Sequence, residues 1–386
     1  MEMENISIYS SRKHQLINLL FIIVFLSHNI IFFFQGKTVD WHEDSWIKYL
    51  KYLILVLFIL YNIRGVSFAR FLIYIFFNIF FFSQQLSISL ATGTQIDYSI
   101  FYNFYAALAL ILISPRVFDK KFLLSGVMIV ACFSIFFTFF EYFFLQDVIA
   151  RNFMSQYDFY RCGSCFLNSN AAGACFVFFS LLFVHKIAQK EYSFLYYFLL
   201  ISAGVAIALT KSRSGFALYI LCFCYALCRI KNKLLLLLSI TGCFAFIVFL
   251  LSDTAFLQQF NRIDGEESSA LRFSQIQITL SALMDDLFLP INRYPTRLDV
   301  GILQFIFDFG LLGFVLYFSI IIKAMYNCIG HIDVAFTFVI ILLLFFFITA
   351  HNIFPFAYFI TFLASSFLDK SFLDHNELFH KDPQYV

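Results

Sequence analysis

Residues 193–228 read SFLYYFLLISAGVAIALTKSRSGFALYILCFCYALC, with two long apolar runs on either side of a short polar turn. The turn contains two cations, Lys211 and Arg213. Each run approaches the length that a helix needs to cross a hydrocarbon core of about 30 Å. The pattern predicts two membrane-spanning helices joined by a tight turn, and we treat the two cations in that turn as a candidate functional site.

The whole chain has the composition that this stretch suggests. Hydrophobic residues make up 61% of the 386 residues and charged residues only 13%, whereas soluble proteins average about half apolar and about a quarter charged. We predict an all-α, polytopic membrane protein with a single integral membrane domain over residues 1–386. Helices are expected because the apolar runs are continuous and do not alternate with polar positions.

Runs approaching about 20 apolar residues locate the predicted helices. Twelve such runs are found, at residues 16–34, 47–63, 71–83, 98–114, 122–145, 170–185, 193–209, 214–228, 234–251, 301–322, 334–350 and 356–368. Arg12 and Lys13 precede the first run as in a signal peptide, but no small-x-small cleavage motif follows Phe34. We therefore expect the first run to remain as an anchor.

Lysine and arginine in the loops orient the predicted helices, because these residues are retained on the cytoplasmic side. With the N-terminus inside, fifteen of the 26 Lys and Arg residues fall in cytoplasmic segments. The short turns at 119–121 and 229–233 carry most of this weight. Both termini are therefore predicted to be cytoplasmic, and the turn with Lys211 and Arg213 to be extracytoplasmic.

The cations left on the outer side are mostly arginines. Seven of the twelve arginines fall there, namely Arg151, Arg161, Arg213, Arg262, Arg272, Arg293 and Arg297. A site that holds phosphate oxygens prefers the planar guanidinium with its five donors. Pairing with outer Asp and Glu, or contact with lipid headgroups, is the alternative for any single arginine.

The largest predicted outer loop covers residues 252–298. Connections of this length without a role are uncommon. Within the loop, residues 266–284 have the pattern of an amphipathic helix that would lie on the membrane surface and cover a cavity. Its apolar face would consist of Leu271, Ile276, Ile278, Leu280 and Leu283.

Two further outer segments carry polar residues. Residues 146–169 include Arg161 and end at Asn168 and Ser169, either of which would cap the next helix. The small residues that follow favour close helix packing. The other segment is His351-Asn352, between the last two predicted spans.

These residues together resemble the O-antigen polymerase and O-antigen ligase superfamily, over about residues 161–355. A Ser-Arg-Ser-Gly turn at 212–215 opens a span, and one large outer loop follows it. The residues that precede the turn in the family order are Arg161, Gly163, Phe166, Asn168 and Asn170. The later matching residues are Arg272, which follows Glu267-Ser268-Ser269-Ala270-Leu271, and the stretches Asp299-Val300-Gly301 and Asp308-Phe309-Gly310-Leu311-Leu312-Gly313.

The resemblance implies a glycosyltransferase with a GT-C-like fold, without a metal or a cofactor. Such proteins transfer a glycan from an undecaprenyl pyrophosphate donor to a sugar hydroxyl, at the periplasmic face of the bacterial inner membrane. Fixed cations would bind the pyrophosphate and stabilise the charge that develops as the anomeric bond breaks. The residues expected in that role are Arg213, Arg272, Arg161, Lys211 and Arg293.

The acceptor hydroxyl requires a base. The candidates are His351, Asp299, Glu267 and Asp308, and the sequence does not rank them. Ligases of the superfamily have a histidine near the end of the large loop. The corresponding residues of this chain, 294–299, include no histidine, so the polymerase is favoured over the ligase. Each candidate has a structural alternative: Asp308 would pair helices within its span, and His351 would cap a turn. Glu141, at the outer end of the fifth span, would simply reach the interface.

The cysteines and the net charge add little information about the function. Cys162 and Cys165 lie in an outer, oxidising segment where a disulfide is an open alternative. Zinc would need two more ligands, and no matching motif is present. The net charge of +2 gives no reason to expect nucleic acid.

Three functions remain as hypotheses. The first is a polymerase that joins lipid-linked repeat units, with a chain-length regulator in the same membrane as the partner that the resemblance implies. The second is the ligase, which differs in acceptor. The third is a flippase for lipid-linked oligosaccharides, although such transporters show two similar halves, and no convincing repeat is found.

Overall fold

The computed structural model of the chain describes a set of separate segments, and the fold is reported for these alone. They are residues 12–27, 47–63, 68–93, 120–146, 153–154, 159–166, 169–188, 193–229, 241, 273–281, 284, 306, 309–316 and 319. Within them the chain is helical apart from one short strand pair. The predicted all-α class is therefore confirmed for the described residues, in which the strands contribute only two residues each.

The helices follow in chain order. They are α1 (Arg12–Ser27), α2 (Ile47–Tyr61), α3 (Phe68–Thr92), α4 (Lys120–Phe144), α5 (Ser169–Ala188), α6 (Ser193–Thr210), α7 (Arg213–Arg229), α8 (residues 273–281) and α9 (residues 309–316). Strands β1 (Phe153–Met154) and β2 (Phe159–Tyr160) pair antiparallel between α4 and α5. A short 3-10 turn, Ser164–Phe166, then leads towards α5.

The helix bounds agree with several predicted spans. Ile47–Tyr61 and Lys120–Phe144 lie within two residues of the predicted runs 47–63 and 122–145. The hairpin of α6 and α7 begins and ends within one residue of the two runs that flank the Lys211 turn. The predicted spans 98–114, 334–350 and 356–368 lie outside the described residues, as does the span 234–251 apart from residue 241.

Helix α3 is longer than predicted. Its apolar run was expected to end at residue 83, but the helix continues to Thr92. Gln84 and Gln85 are buried, and the Ser87 hydroxyl donates to the Ser83 carbonyl within the helix (2.8 Å). Polar side chains that are buried or bonded to their own backbone do not end a helix, although they lower the hydropathy from which the span was predicted.

The chain divides into two compact units, each with its own core. The first takes in Met1–Asn18, Tyr52–Lys120 and Ser268–Val386. In this unit Phe81 of α3 packs edge-on against Phe309 of α9, with ring centroids 4.8 Å apart. At one end of α2 the amide of Asn62 donates to the Asn18 side-chain oxygen (3.0 Å).

The second unit takes in Leu19–Lys51 and Lys121–Glu267, and it contains the helices that frame the candidate site. Helix α5 packs against α6 and against α7. Phe176, Phe183, Leu200 and Ile207 are fully buried among these three helices. A Tyr219 ring on α7 lies against Gly204 of α6, where an added Cβ would come within 2.5 Å of the ring.

Apolar and polar side chains are distributed as expected for helices in hydrocarbon. Phe143 is 68% exposed and Phe194 is 78% exposed, whereas Ser134, Thr138 and Glu141 are completely buried. Buried hydroxyls bond back to their own helix, as Thr138 does to the Ser134 carbonyl (2.8 Å). Phe68–Ala91 and Ser125–Phe144 are the described segments that are long and apolar enough to cross a membrane, by length and composition.

Helix α8 is the described part of the predicted amphipathic helix at 266–284. Its buried side chains are polar, Gln275 and Thr279, one turn apart. The apolar side chains of Ile276, Ile278 and Leu280 are exposed. The exposed positions also include the polar residues Gln277 and Ser281, so the single apolar face stays a prediction.

Candidate functional site

The segment 159–166 and the turn after α6 form one structure in the second unit. The Cys162 amide donates to the Leu209 carbonyl (3.1 Å). The Arg161 Nε donates to the Thr210 carbonyl (3.2 Å), and its Nη2 donates to the Asn170 side-chain oxygen (2.8 Å) and to the Lys211 carbonyl (3.5 Å). Two polar segments that are fifty residues apart in sequence are thereby brought to one place.

Arg161 closes the C-terminus of α6. The last carbonyls of a helix have no partner within the helix and carry partial negative charge. A guanidinium is suited to several such acceptors because its donors form a rigid planar fork. In this position Arg161 shapes the turn that holds Lys211 and Arg213, with its Nε and Nη2 bonded to protein oxygens.

Ser212 caps the start of α7. Its hydroxyl accepts from the Gly215 amide (3.3 Å), and its carbonyl accepts from the Phe216 amide (2.9 Å). Arg213 is the first residue of the helix and is half-buried. A helix N-terminus carries partial positive charge, so Lys211, Arg213 and the first turn of α7 together favour an anion.

Two glycines let α5 approach this turn closely. A Cβ added at Gly215 would lie 3.2 Å from the Gly173 Cα, and one added at Gly173 would lie 2.8 Å from the Ser212 Cβ. Helix α5 begins at Ser169, one of the two predicted caps. The predicted close packing of the small residues after it is therefore confirmed, and it fixes the backbone on which the cations are carried.

Glu141 of α4 lies beneath the 159–166 segment. It is completely buried and accepts hydrogen bonds from the Tyr160 hydroxyl (2.7 Å), the Gly163 amide (3.0 Å) and the Ser164 amide (2.6 Å). The expectation that Glu141 simply reaches the interface is wrong. The sequence offered one indication, a lone acid in an otherwise apolar helix, but it did not indicate which groups the acid binds.

Cys162 and Cys165 are free thiols in this structure and both are buried. The Cys162 thiol contacts the Thr138 carbonyl (3.8 Å). Burial raises the pKa of Cys162, and the neighbouring charge of Glu141 raises it further while that of Lys211 opposes the change. Burial likewise raises the pKa of Cys165, to about 11. At neutral pH both are therefore protonated and poorly nucleophilic.

Backbone strain is concentrated here. Among the described residues, the non-glycine positions with positive φ are Ser164 and Lys211, at 51° each. Residues held in this region cost about 1–3 kcal/mol and occur mainly at functional sites. Lys211 is also buried, at 6% exposure. The two strained residues lie in the two segments that Arg161 joins.

The site as described supplies cations and ordered amides. In the parts of the chain that the structure describes, no three His, Cys, Asp or Glu side chains are grouped as a metal site would require. Arg161, Lys211 and Arg213 are the predicted anion-binding residues that the structure brings together. The other predicted site residues lie outside the described residues, namely Arg272, Arg293, Glu267, Asp299, Asp308 and His351.

No family model matches the chain, and no curated protein or solved structure matches it either.

Proposed function

We propose that the chain is a surface-polysaccharide polymerase of the O-antigen type in the bacterial inner membrane. It transfers a growing glycan from undecaprenyl pyrophosphate to a lipid-linked repeat unit at the periplasmic face. The observation that carries this proposal is the convergence of Arg161, Lys211 and Arg213 at the N-terminus of α7. A membrane-embedded cation cluster at a helix N-terminus is suited to the pyrophosphate of a lipid donor.

The membrane location rests on the helices. The outward phenylalanine surface, the buried polar side chains and the two long apolar helices all suit a bilayer. The full proposal is about twelve transmembrane helices in a GT-C-like arrangement, with both termini cytoplasmic and a large periplasmic loop at 252–298. The cation-rich turns at 119–121 and 229–233 set this orientation.

The reaction is a glycosyl transfer. The acceptor hydroxyl oxygen forms a bond to the anomeric carbon of the donor glycan, and the bond from that carbon to the pyrophosphate oxygen breaks. The pyrophosphate leaves with the bonding electron pair, and the hydroxyl proton passes to a base. Lys211 and Arg213 stabilise the leaving group, with Arg272 and Arg293 contributed by the large loop. The base is one of Asp299, His351, Glu267 and Asp308.

Arg161 has a different part in this scheme. It was expected among the pyrophosphate ligands, and its bonds to the Thr210 carbonyl and Asn170 support a role in shaping the turn. The donor pyrophosphate is then bound chiefly by Lys211, Arg213 and the amides of the first turn of α7. A chain-length regulator is the protein partner proposed in the same membrane.

The test is deletion of the gene, with complementation by wild type or by single variants, and with the surface polysaccharide resolved as a size ladder. We expect deletion to leave one repeat unit on the lipid A core. Arg213→Ala and Arg272→Ala should fail to restore the ladder at wild-type protein levels. Arg229→Ala, at the opposite end of α7 from Arg213, is the matched control and should restore it.

Other outcomes separate the alternatives. A core without any repeat unit after deletion would favour the ligase or the flippase. A full ladder from both Arg213→Ala and Arg272→Ala would overturn the assignment of these arginines to the pyrophosphate.

A further inference from the structure

Glu141 is a buried acid that contacts the segment carrying Arg161. Three groups donate to its carboxylate, and all belong to the five residues 160–164. An acid within an apolar helix is costly unless its oxygens are satisfied. The loop satisfies them with two backbone amides and one hydroxyl, an arrangement suited to a carboxylate because it is an acceptor only.

The same five residues include Arg161. Tyr160 precedes it and Gly163 follows two residues later, so Glu141 holds the chain on both sides of the arginine. Arg161 in turn reaches the Thr210 and Lys211 carbonyls. A continuous set of contacts therefore leads from Glu141 through the loop to the turn that carries Lys211.

The strained residues lie at the two ends of this set of contacts. The Ser164 amide, at φ 51°, donates to a Glu141 oxygen at 2.6 Å. The carbonyl of Lys211, also at φ 51°, accepts from Arg161. Such conformations persist only where the surroundings hold them. Glu141 and Arg161 contribute to this hold, together with the bond from the Ser164 hydroxyl to the Ser134 carbonyl (2.9 Å) and the bond from the Lys211 amide to the Ala208 carbonyl (2.9 Å).

We propose that Glu141 is a positioning residue that holds loop 160–164 so that Arg161 can fix the Lys211–Arg213 turn. Its burial and its three donors leave it no exposed oxygen with which to touch a substrate. The importance of the turn for polymerisation rests on the proposed function. The anchoring of the loop does not, and it is tested separately.

The first measurement is thiol accessibility in the full-length, detergent-solubilised chain. Cys162 lies in the loop and Cys165 directly follows it, and because both thiols are buried they report on the loop. Maleimide labelling of each is read by mass spectrometry, as a fraction of the labelling in denatured protein. In Glu141→Ala and Glu141→Gln, loss of the charged acceptor should raise labelling about tenfold or more. Ser180→Ala removes a buried hydroxyl elsewhere in the same unit and should leave the labelling unchanged.

A milder variant covers the case in which neither Glu141 variant accumulates. Tyr160→Phe removes one donor to the Glu141 carboxylate and keeps the ring. It should raise labelling of Cys162 and Cys165 by a smaller factor. Labelling at the wild-type level in every variant that accumulates overturns the inference.

The second measurement distinguishes positioning from direct action. Glycine adopts positive φ without strain, so Ser164→Gly added to Glu141→Ala should lower the labelling and restore part of the polysaccharide ladder relative to Ser164→Ala in the same background. Both substitutions remove the bond from the Ser164 hydroxyl to the Ser134 carbonyl (2.9 Å), and only glycine also relieves the strain. A normal ladder in Glu141→Ala despite raised labelling overturns the positioning role. So does a double variant in which Ser164→Gly lowers the labelling but the ladder is still absent. If wild type itself restores no ladder, the proposed function fails, and the labelling still decides whether Glu141 anchors the loop.

Discussion

At the scale of single residues, the two arginines of the site hold different positions. Arg161 is directed to backbone carbonyls and to Asn170, whereas Arg213 opens a helix at a turn. The sequence placed both in one class because it shows the type of side chain and not its partners. The difference is therefore visible only in the folded chain.

Exchanging each of these arginines for lysine should reveal the distinction. Arg161→Lys keeps the charge but cannot reach Thr210, Asn170 and Lys211 together, so we expect a loss of about 1–2 kcal/mol in the free energy of unfolding. Arg213→Lys keeps a cation at the N-terminus of α7 and should retain stability and part of the activity. Thermal unfolding in detergent and the polysaccharide ladder measure the two effects. Equal loss of stability in both variants would contradict the assignment.

Glu141 shows where the sequence stops being informative at this scale. Its position near the end of an apolar run predicted a place at the interface, but its role depends on Tyr160, Gly163 and Ser164. Those contacts are set by the strand pair and the turn that fold the segment back over α4. Hydropathy contains no information on that folding, so the acid was predicted at the interface and is found buried.

At the scale of elements, the helices were predicted most accurately where the chain is uniformly apolar. The turn at Lys211 separates α6 and α7 within one residue of its predicted place, because charged residues are excluded from the hydrocarbon. Helix α3 was predicted too short because buried glutamines read as polar. In α8 the structure shows that Gln275 and Thr279 are buried, which the apolar pattern of residues 266–284 did not predict.

The cap of α7 gives a prediction at this scale. Ser212→Ala removes the hydroxyl that accepts from the Gly215 amide and should cost about 1 kcal/mol in the free energy of unfolding. Ser212→Gly should cost only a few tenths as a cap, because glycine tolerates this position. Hydrogen exchange of amides in the first turn of α7 measures the change. Exchange in Ser212→Ala that is indistinguishable from exchange in wild type would show that the hydroxyl does not stabilise the helix.

The contact between α6 and α7 gives another. Gly204→Ala places a methyl against the Tyr219 ring, whose hydroxyl donates to the Leu200 carbonyl (2.9 Å), and should cost about 1–3 kcal/mol. Gly204→Ala is also made in a Tyr219→Leu background, in which the ring is absent. The double variant should be less destabilised than the sum of the two single variants. Additive losses in the unfolding midpoint would mean that the methyl and the ring do not meet.

At the scale of the whole molecule, the exposed surface is the feature to test. Phe136 is 66% exposed in the middle of a segment long enough to cross a membrane. If it faces lipid, Phe136→Lys should cost about 2.5–3.5 kcal/mol and reduce the amount of folded protein recovered from membranes. Phe136→Leu should have little effect. Unchanged recovery of the lysine variant would place this face in water.

The Gly173–Gly215 crossing affects how rigid the turn at Lys211 is before a ligand binds. At this crossing the Gly173 backbone lies against Gly215 and the short Ser212 side chain, so few side-chain atoms between the helices could rearrange. The Ser212 cap and the start of α7 therefore keep their geometry before anything binds. Such preorganisation means that the entropic cost of arranging the anion site is incurred when the chain folds and not at each binding event.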